Sequence, residues 1–238
     1  MDWAIRIAHE NRYSKGSAFI TLTYNEKFLP RDGMLVKSHL QKYFKRLRKL
    51  FKEKLRYYAV GEYGTKSQRP HYHILLFNID RTEHEKVRQA WTLGGIPIGH
   101  VHIGNVDTAS IIYCLKYVVQ PEQKEKEVKP FSTMSRAYGI GGMYLQDHIV
   151  EWHRMTESNF MRDHDKIIRM PKFYKEKIWY KEEDKIKIRQ KAEHASRLAE
   201  AKNLAKLFQQ GYGYQDVKEM RDAFTSRIKT KVAFTEKI

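Results

Sequence analysis

Residues 57–77 read YYAVGEYGTKSQRPHYHILLF: two runs rich in β-branched and aromatic side chains, joined by a polar loop that carries Gly64, Ser67, Gln68, Arg69 and Pro70. Runs so closely linked are predicted to pair antiparallel, with Tyr57–Glu62 against His71–Phe77. His71 and His73 stand two residues apart in the second run, so their imidazoles project from one face of the sheet. The antiparallel return brings the Glu62 carboxylate toward the same two rings. Two imidazoles and a carboxylate with open positions suit a divalent cation, Mg²⁺ or Mn²⁺, and the imidazoles favour Mn²⁺. Taken alone the pair says little, because two core histidines held by hydrogen bonds would give the same text. The chain has 11 histidines, and a second His-x-His pair, His100 and His102, stands in GHVHIG.

Outward from this hairpin, Ala18–Tyr24 (AFITLTY) reads as a strand closed by Asn25 and Pro30. Over Lys37–Lys54 the period changes to that of a helix. Leu40, Tyr43, Phe44, Leu47, Leu50 and Phe51 form its apolar stripe, and Lys42, Lys45, Arg46, Arg48, Lys49 and Lys52 fill the other positions. That basic face is either a solvated surface or a set of phosphate contacts, with Lys45, Arg46 and Lys49 as the candidates. Arg69, ahead of Pro70, either touches phosphate or shapes the turn. Arg81–Trp91 reads as helix and His100–Val106 as strand. Asp107 or Thr108 stands at the N-cap of a helix over Ala109–Val119 that stops before Pro121. The order predicts an α+β fold, a mainly antiparallel central sheet with helices packed on one face. After Gln120 come a charged connector, PEQKEKEVKP, and a Gly-rich loop, FSTMSRAYGIGG. Beyond Lys175 a long charged helical stretch reads as an appendage. The predicted division is a main domain over 1–156 and a mostly helical extension over 157–238.

With 45 Lys and Arg against 28 Asp and Glu, the formal charge of +17 calls for a polyanionic partner. A membrane surface is the weaker choice, since no run of about 18 apolar residues exists and Met1–Glu10 is charged where a signal peptide would be apolar. The expectation is a soluble, intracellular protein that binds nucleic acid. Its one cysteine, Cys114, can form neither an internal disulfide nor a thiolate zinc site by itself.

Tyr113 and Tyr117 lie four apart on the helix before Pro121 and share one helical face, with Lys116 beside them. A tyrosine pair at that spacing more often packs a core. A phenol, with its reference pKa of about 10, needs help to attack phosphorus, and a nearby cation or ammonium group favours the phenolate. Lys116 either supplies that help or faces solvent.

Five stretches in succession, FITLTYNEKFLP, GEYGTKSQRPHYHILLF, YCLKY, FSTMSRAYGIGG and MPKFYKEKI, cover roughly Trp3 to Ile178. Together they resemble the HUH endonuclease superfamily, named for its His-hydrophobic-His motif, and more closely the replication initiator proteins of microviruses, small single-stranded DNA phages. The resemblance implies that His71, His73 and Glu62 are the metal ligands and that Tyr113 and Tyr117 are the paired nucleophiles. It implies nicking of single-stranded DNA at a replication origin, leaving a 3′-hydroxyl and a 5′-phosphotyrosine bond, followed by rejoining, in rolling-circle replication with the host replication machinery. The expected location is the cytoplasm of the bacterial host. Members of the group often carry a CxxC-containing segment ahead of the region matching Trp3, which this sequence lacks. Two other readings use the same parts: an HUH transposase or plasmid relaxase, and a non-catalytic binder of single-stranded nucleic acid on an RNA-recognition-type sheet. The RNP-type aromatic pattern of the last is not evident in YYAVGEY or HYHILLF.

Overall fold

Five strands form one antiparallel sheet in the order β6-β1-β3-β2-β7: β1 (Ser17–Leu22), β2 (Arg56–Tyr63), β3 (Pro70–Phe77), β6 (Val101–Gly104) and β7 (Phe131–Met134). A small hairpin, β4 (Thr92–Leu93) and β5 (Ile96–Pro97), turns at Gly94 and Gly95, both with positive φ. The computed structural model describes residues 2–64, 66–119, 127–163 and 166–236, the side chains of 117–119 and 227–236 excepted. Most of the predicted charged connector lies outside those residues. The chain divides into two compact units, Met1–Tyr144 and Leu145–Ile238.

In the first unit the predicted α+β fold and its central hairpin are present, with Glu62 directly opposite His71 in the β2–β3 register. Helices cover both faces of the sheet, a correction to the one-faced arrangement expected from the sequence. On one face α2 (Lys37–Leu50) and α3 (His84–Gln89) enclose a core in which Leu40, Tyr43 and Leu47 meet Ile20, Leu22, Tyr72, Ile74 and Leu76. On the other, α1 (Asp2–Arg12) and α4 (Thr108–Val119) bring Ile7, Ile111 and Cys114 to Tyr58, Val60, Leu75 and Phe77. The physical reason is in β3 itself. Ile74-Leu75-Leu76-Phe77 is an unbroken apolar run, and such a strand must be covered on both sides.

Gly99 crosses the backbone of the strand-end residue Thr23. A Cβ built on it would lie 1.8 Å from the Thr23 carbonyl oxygen, which itself accepts the Trp91 indole N–H at 2.8 Å. Neither side of that contact is a flexible side chain, so relief requires backbone movement. Gly99→Ala should therefore cost about 2–3 kcal/mol, read as a lower urea midpoint at unchanged slope.

The second unit contains α5 (Asp147–Thr156), a hairpin of β8 (Phe160–Asp163) and β9 (Lys166–Arg169), α6 (Lys172–Ile178), α7 (Glu182–Gln209) and α8 (Tyr214–Glu236). His153, Met161, Met170, Tyr174, Ile178, Trp179 and Ile188 are its buried residues near the hairpin. Ile188 is the one buried residue of α7, which exposes apolar side chains, Ile186, Leu198 and Phe208, among its many charged ones. Among the described residues no helix is long and apolar enough to cross a membrane.

Candidate metal centre and tyrosine

The period-2 alternation of β2 and β3 puts Glu62, His71 and His73 on the face that carries α4, and there the three side chains converge. Their ligand atoms lie within 4.8 Å of one another. Glu62 Oε1 is 2.9 Å from His71 Nε2 and 3.0 Å from His73 Nε2. Spacings of about 3 Å are those of ligand atoms that could share a small divalent ion, and equally those of direct hydrogen bonds.

Each of the two rings also has an outer contact. His71 Nδ1 is 3.1 Å from the Arg69 carbonyl oxygen, which can only accept, so Nδ1 carries a proton and Nε2 faces Glu62. His73 Nδ1 is 3.0 Å from Thr21 Oγ1 on β1, a hydroxyl that can donate or accept and that holds the orientation of the ring. Glu62 Oε2 is moreover buried without a hydrogen-bond partner, a position a metal or its bound water would satisfy. Burial works to raise the Glu62 carboxyl pKa, but hydrogen bonds from His71 and His73 outweigh it and hold the group below its ordinary value. The residues present thus fit a divalent cation, and the donor set of two imidazoles and one carboxylate does not by itself choose between Mg²⁺ and Mn²⁺.

The helix α4 begins at a reciprocal cap. Asp107 Oδ1 accepts from the Ser110 amide at 2.7 Å, and Ser110 Oγ accepts from the Asp107 amide at 2.9 Å. This fixes the helix so that Ile111 and Cys114 pack on the sheet and Tyr113 stands at its edge. The Tyr113 hydroxyl donates to Glu62 Oε1 at 2.9 Å, and its ring meets His73 edge-on at 4.9 Å between centroids. The residue is 37% exposed, so its hydroxyl is held at the ligand cluster while the ring edge is open to solvent. An open cleft lined by Phe19, His73, Asn105, Asp107 and Tyr113 adjoins it. Cys114, on the same helix, is buried. Burial first, and the Glu62 charge second, push its thiol up to about 12, which leaves it a packing residue.

The other sequence candidates are placed differently. Lys116 is exposed on α4, and the side chain of Tyr117 lies outside the described residues. Arg69 pairs with Glu26 through Nη1 and donates to the Tyr24 carbonyl from Nη2 at 2.9 Å, so its guanidinium tethers the turn. Lys45 and Lys49 are exposed, and Arg46 donates to the Ala90 carbonyl at 2.7 Å. All three belong to α2, which covers the sheet face opposite the ligand cluster. His102 is level with Thr21 in the β1–β6 register, as is His73 in the β1–β3 register, so both histidines share a face with a strand between them. Two residues not expected from the sequence belong to the site, Thr21 and Phe19. Phe19 stacks on His73 at 5.4 Å with 9° between the ring planes. Their signal lies in the alternation of AFITL, where Phe19 and Thr21 occupy the sheet face that carries His71 and His73.

This chain is similar to phage replication-associated proteins. Residues 17–122, a span containing the ligand cluster and both tyrosines, match the family model for replication-associated proteins of the ORF2 type. Replication-associated protein VP4 of Bdellovibrio phage phiMH2K is 28% identical over 75% of this chain and 62% of its own length. Replication-associated protein ORF2 of Spiroplasma virus 4 is 30% identical over 62% of this chain and 53% of its own. Replication-associated protein ORF4 of Chlamydia phage 1 is 24% identical over 58% and 41%. The chain therefore spans less than two thirds of the length of these relatives. No solved structure matches.

Proposed function

We propose that the protein initiates replication of a phage genome by nicking single-stranded DNA at the origin and later rejoining it, with Tyr113 as an attacking group beside a divalent cation held by Glu62, His71 and His73. The observation that carries the reading is the hydrogen bond from the Tyr113 hydroxyl to Glu62 Oε1, which couples a candidate nucleophile to the ligand cluster. The similarity to phage replication-associated proteins supports the biological setting, in the cytoplasm of the bacterial host and with the host replication machinery as partner.

When bound, the cation, Mn²⁺ by the donor preference of imidazole and Mg²⁺ as the alternative, polarises a non-bridging oxygen of the scissile phosphate and offsets its charge. Tyr113 loses its phenolic proton along the bond already directed at Glu62. Its oxygen forms a bond to phosphorus as the bond from phosphorus to the 3′ oxygen breaks, and that oxygen leaves as a 3′-hydroxyl after taking a proton. The protein keeps the 5′ end as a phosphotyrosine ester, so the energy of the phosphodiester is retained. Attack by a 3′-hydroxyl on the same ester reverses the bonds and closes the strand. Tyr117 is the candidate for a second round of attack, and Lys116 for stabilising charge on phosphate or phenolate. Lys45 and Lys49 would contact a different stretch of the nucleic acid from the one at the cluster, since α2 is on the other sheet face.

Calorimetric titration with Mn²⁺ tests the foundation. The protein should bind one ion per chain, and Glu62→Gln should weaken it at least about a hundredfold by removing the only anionic ligand. Thr21→Val, which removes the partner of His73 Nδ1, should weaken it roughly tenfold, as loss of a contact that orients a ligand does. Unchanged affinity in Glu62→Gln would place the ion elsewhere and end this reading.

A further inference from the structure

In the second unit, β9, α6 and α7 surround a cleft of about 390 Å³ that the chemistry above does not use. Five cationic side chains line it, Arg169, Lys172, Lys175, Lys185 and Arg189, against one lining carboxylate, Glu176. Lys172 pairs with Glu176 at 3.6 Å, Lys185 with Glu182 at 2.9 Å and Arg189 with Glu193 at 3.0 Å. These are solvent-exposed pairs on single helices, worth a few tenths of a kcal/mol each, on the order of thermal energy, so an incoming anion can displace them. The remaining wall is apolar: Trp179, Ile188 and Ala192. Asn159 also lines the cleft, and its Oδ1 is buried with no hydrogen-bond partner. A solvated basic surface does not require a concave apolar wall.

We propose that this cleft binds a nucleotide of single-stranded DNA, with the phosphate on the Arg and Lys side chains and the base against the apolar wall lined by Trp179, Ile188 and Ala192. A duplex turns its phosphates outward on a convex surface and hides the faces of its bases, so it cannot fill such a cleft; a single strand offers charge and an apolar ring together. The choice of DNA among polyanions rests on the replication reading. The choice of an unpaired strand rests on the cleft's own walls. The unit would give the protein a second grip on the strand, independent of the tyrosine chemistry.

The test uses the full chain in EDTA, so that binding is read without cleavage. Anisotropy of a labelled 15-nucleotide strand is followed across a salt series for the parent, for Arg169→Gln/Arg189→Gln, and for Lys202→Gln/Lys218→Gln, which removes the same charge from exposed positions outside the cleft. The cleft pair should weaken binding roughly tenfold and reduce the salt slope by about 1.4, the value for two phosphate contacts on a single strand. The outside pair should change the affinity less than about threefold. Equal losses in the two pairs would overturn the proposal. Because the variants keep apolar packing intact, matching thermal melts guard against a folding artefact. A strand carrying 5-iododeoxyuridine should photocross-link to a peptide within residues 169–192, and cross-links confined to residues 1–144 would overturn it as well. Phosphatidylserine vesicles form the last arm: loss of vesicle binding in the cleft pair with unchanged strand binding would reassign the cleft to lipid. Failure of metal binding or of tyrosine capture leaves all these readouts unaffected, so the two readings fail separately.

Discussion

Tyr113→Phe should retain metal and strand binding yet lose covalent capture of an origin oligonucleotide by at least about a thousandfold, the scale expected when an attacking group is removed. The substitution deletes one oxygen. The ring keeps its edge-on contacts with His73 at 4.9 Å and with Phe19 at 6.4 Å, so the face of the sheet stays packed. What disappears is the hydroxyl that donates to Glu62 at the ligand cluster. Capture is measured as a labelled strand that co-migrates with the protein after denaturation and is released by protease. Tyr117→Phe should reduce capture less in a single round and should block the second cut on a substrate with two origins. An undiminished adduct in the double variant would show that neither tyrosine attacks. An adduct lost only in Tyr117→Phe would exchange their order.

The ligand cluster is legible in the sequence because strand geometry converts spacing into position. Residues two apart share a face, and a short antiparallel return sets Glu62 opposite His71. The choice between the two His-x-His pairs is not legible from spacing, since His102, like His71 and His73, lies on a strand and on the same sheet face. The register distinguishes the two: Glu62 stands opposite His71 on the neighbouring strand, whereas His102 has Thr21. The basic stripe of α2 has a related property. Helical periodicity identifies which side of a helix is polar but not which side of the sheet the helix covers, and α2 covers the side away from the cluster.

The elements that the sequence does not announce have their own physics. The charge of Asp2–Arg12 speaks against a signal peptide and announces no core helix, yet as α1 the segment buries Ile7, His9 and Glu10, two of them polar. Phe131–Met134 reads as part of a Gly-rich loop because the glycines that follow dominate the local text. It becomes the edge strand β7 because β2 offers an unpaired backbone edge, and the Phe131 ring fits over Gly61, where a Cβ would come within 2.9 Å of it. In both cases the signal is long-range pairing, to which a local window is blind.

The polar burial in α1 leads to the second large effect: Arg56→Met should destabilise the first unit by about 3–5 kcal/mol, the usual cost of leaving one partner of a buried ion pair alone. Arg56 opens β2, and its guanidinium donates to both oxygens of Glu10 on α1, with Nη2 3.1 Å from Oε2. It also donates to the carbonyls of Ala137 at 2.7 Å and Gly139 at 2.5 Å, and the Gly141 amide donates to Glu10 Oε2 at 2.6 Å. Strand, helix and Gly-rich loop are therefore joined by one network, and the positive φ of Gly139 and Gly141 is what turns the loop so that its polar groups point inward. Arg56→Lys keeps the charge but cannot replace a planar fork with three partners, so it should recover only part of the loss. Glu10→Met/Arg56→Met removes both charges and should be milder than the sum of the single changes, a coupling that urea unfolding of all four proteins measures directly. A loss near 1 kcal/mol in Arg56→Met, with no coupling, would mean that the apolar contacts of Ile7 and Ile140 hold the loop without the ion pair.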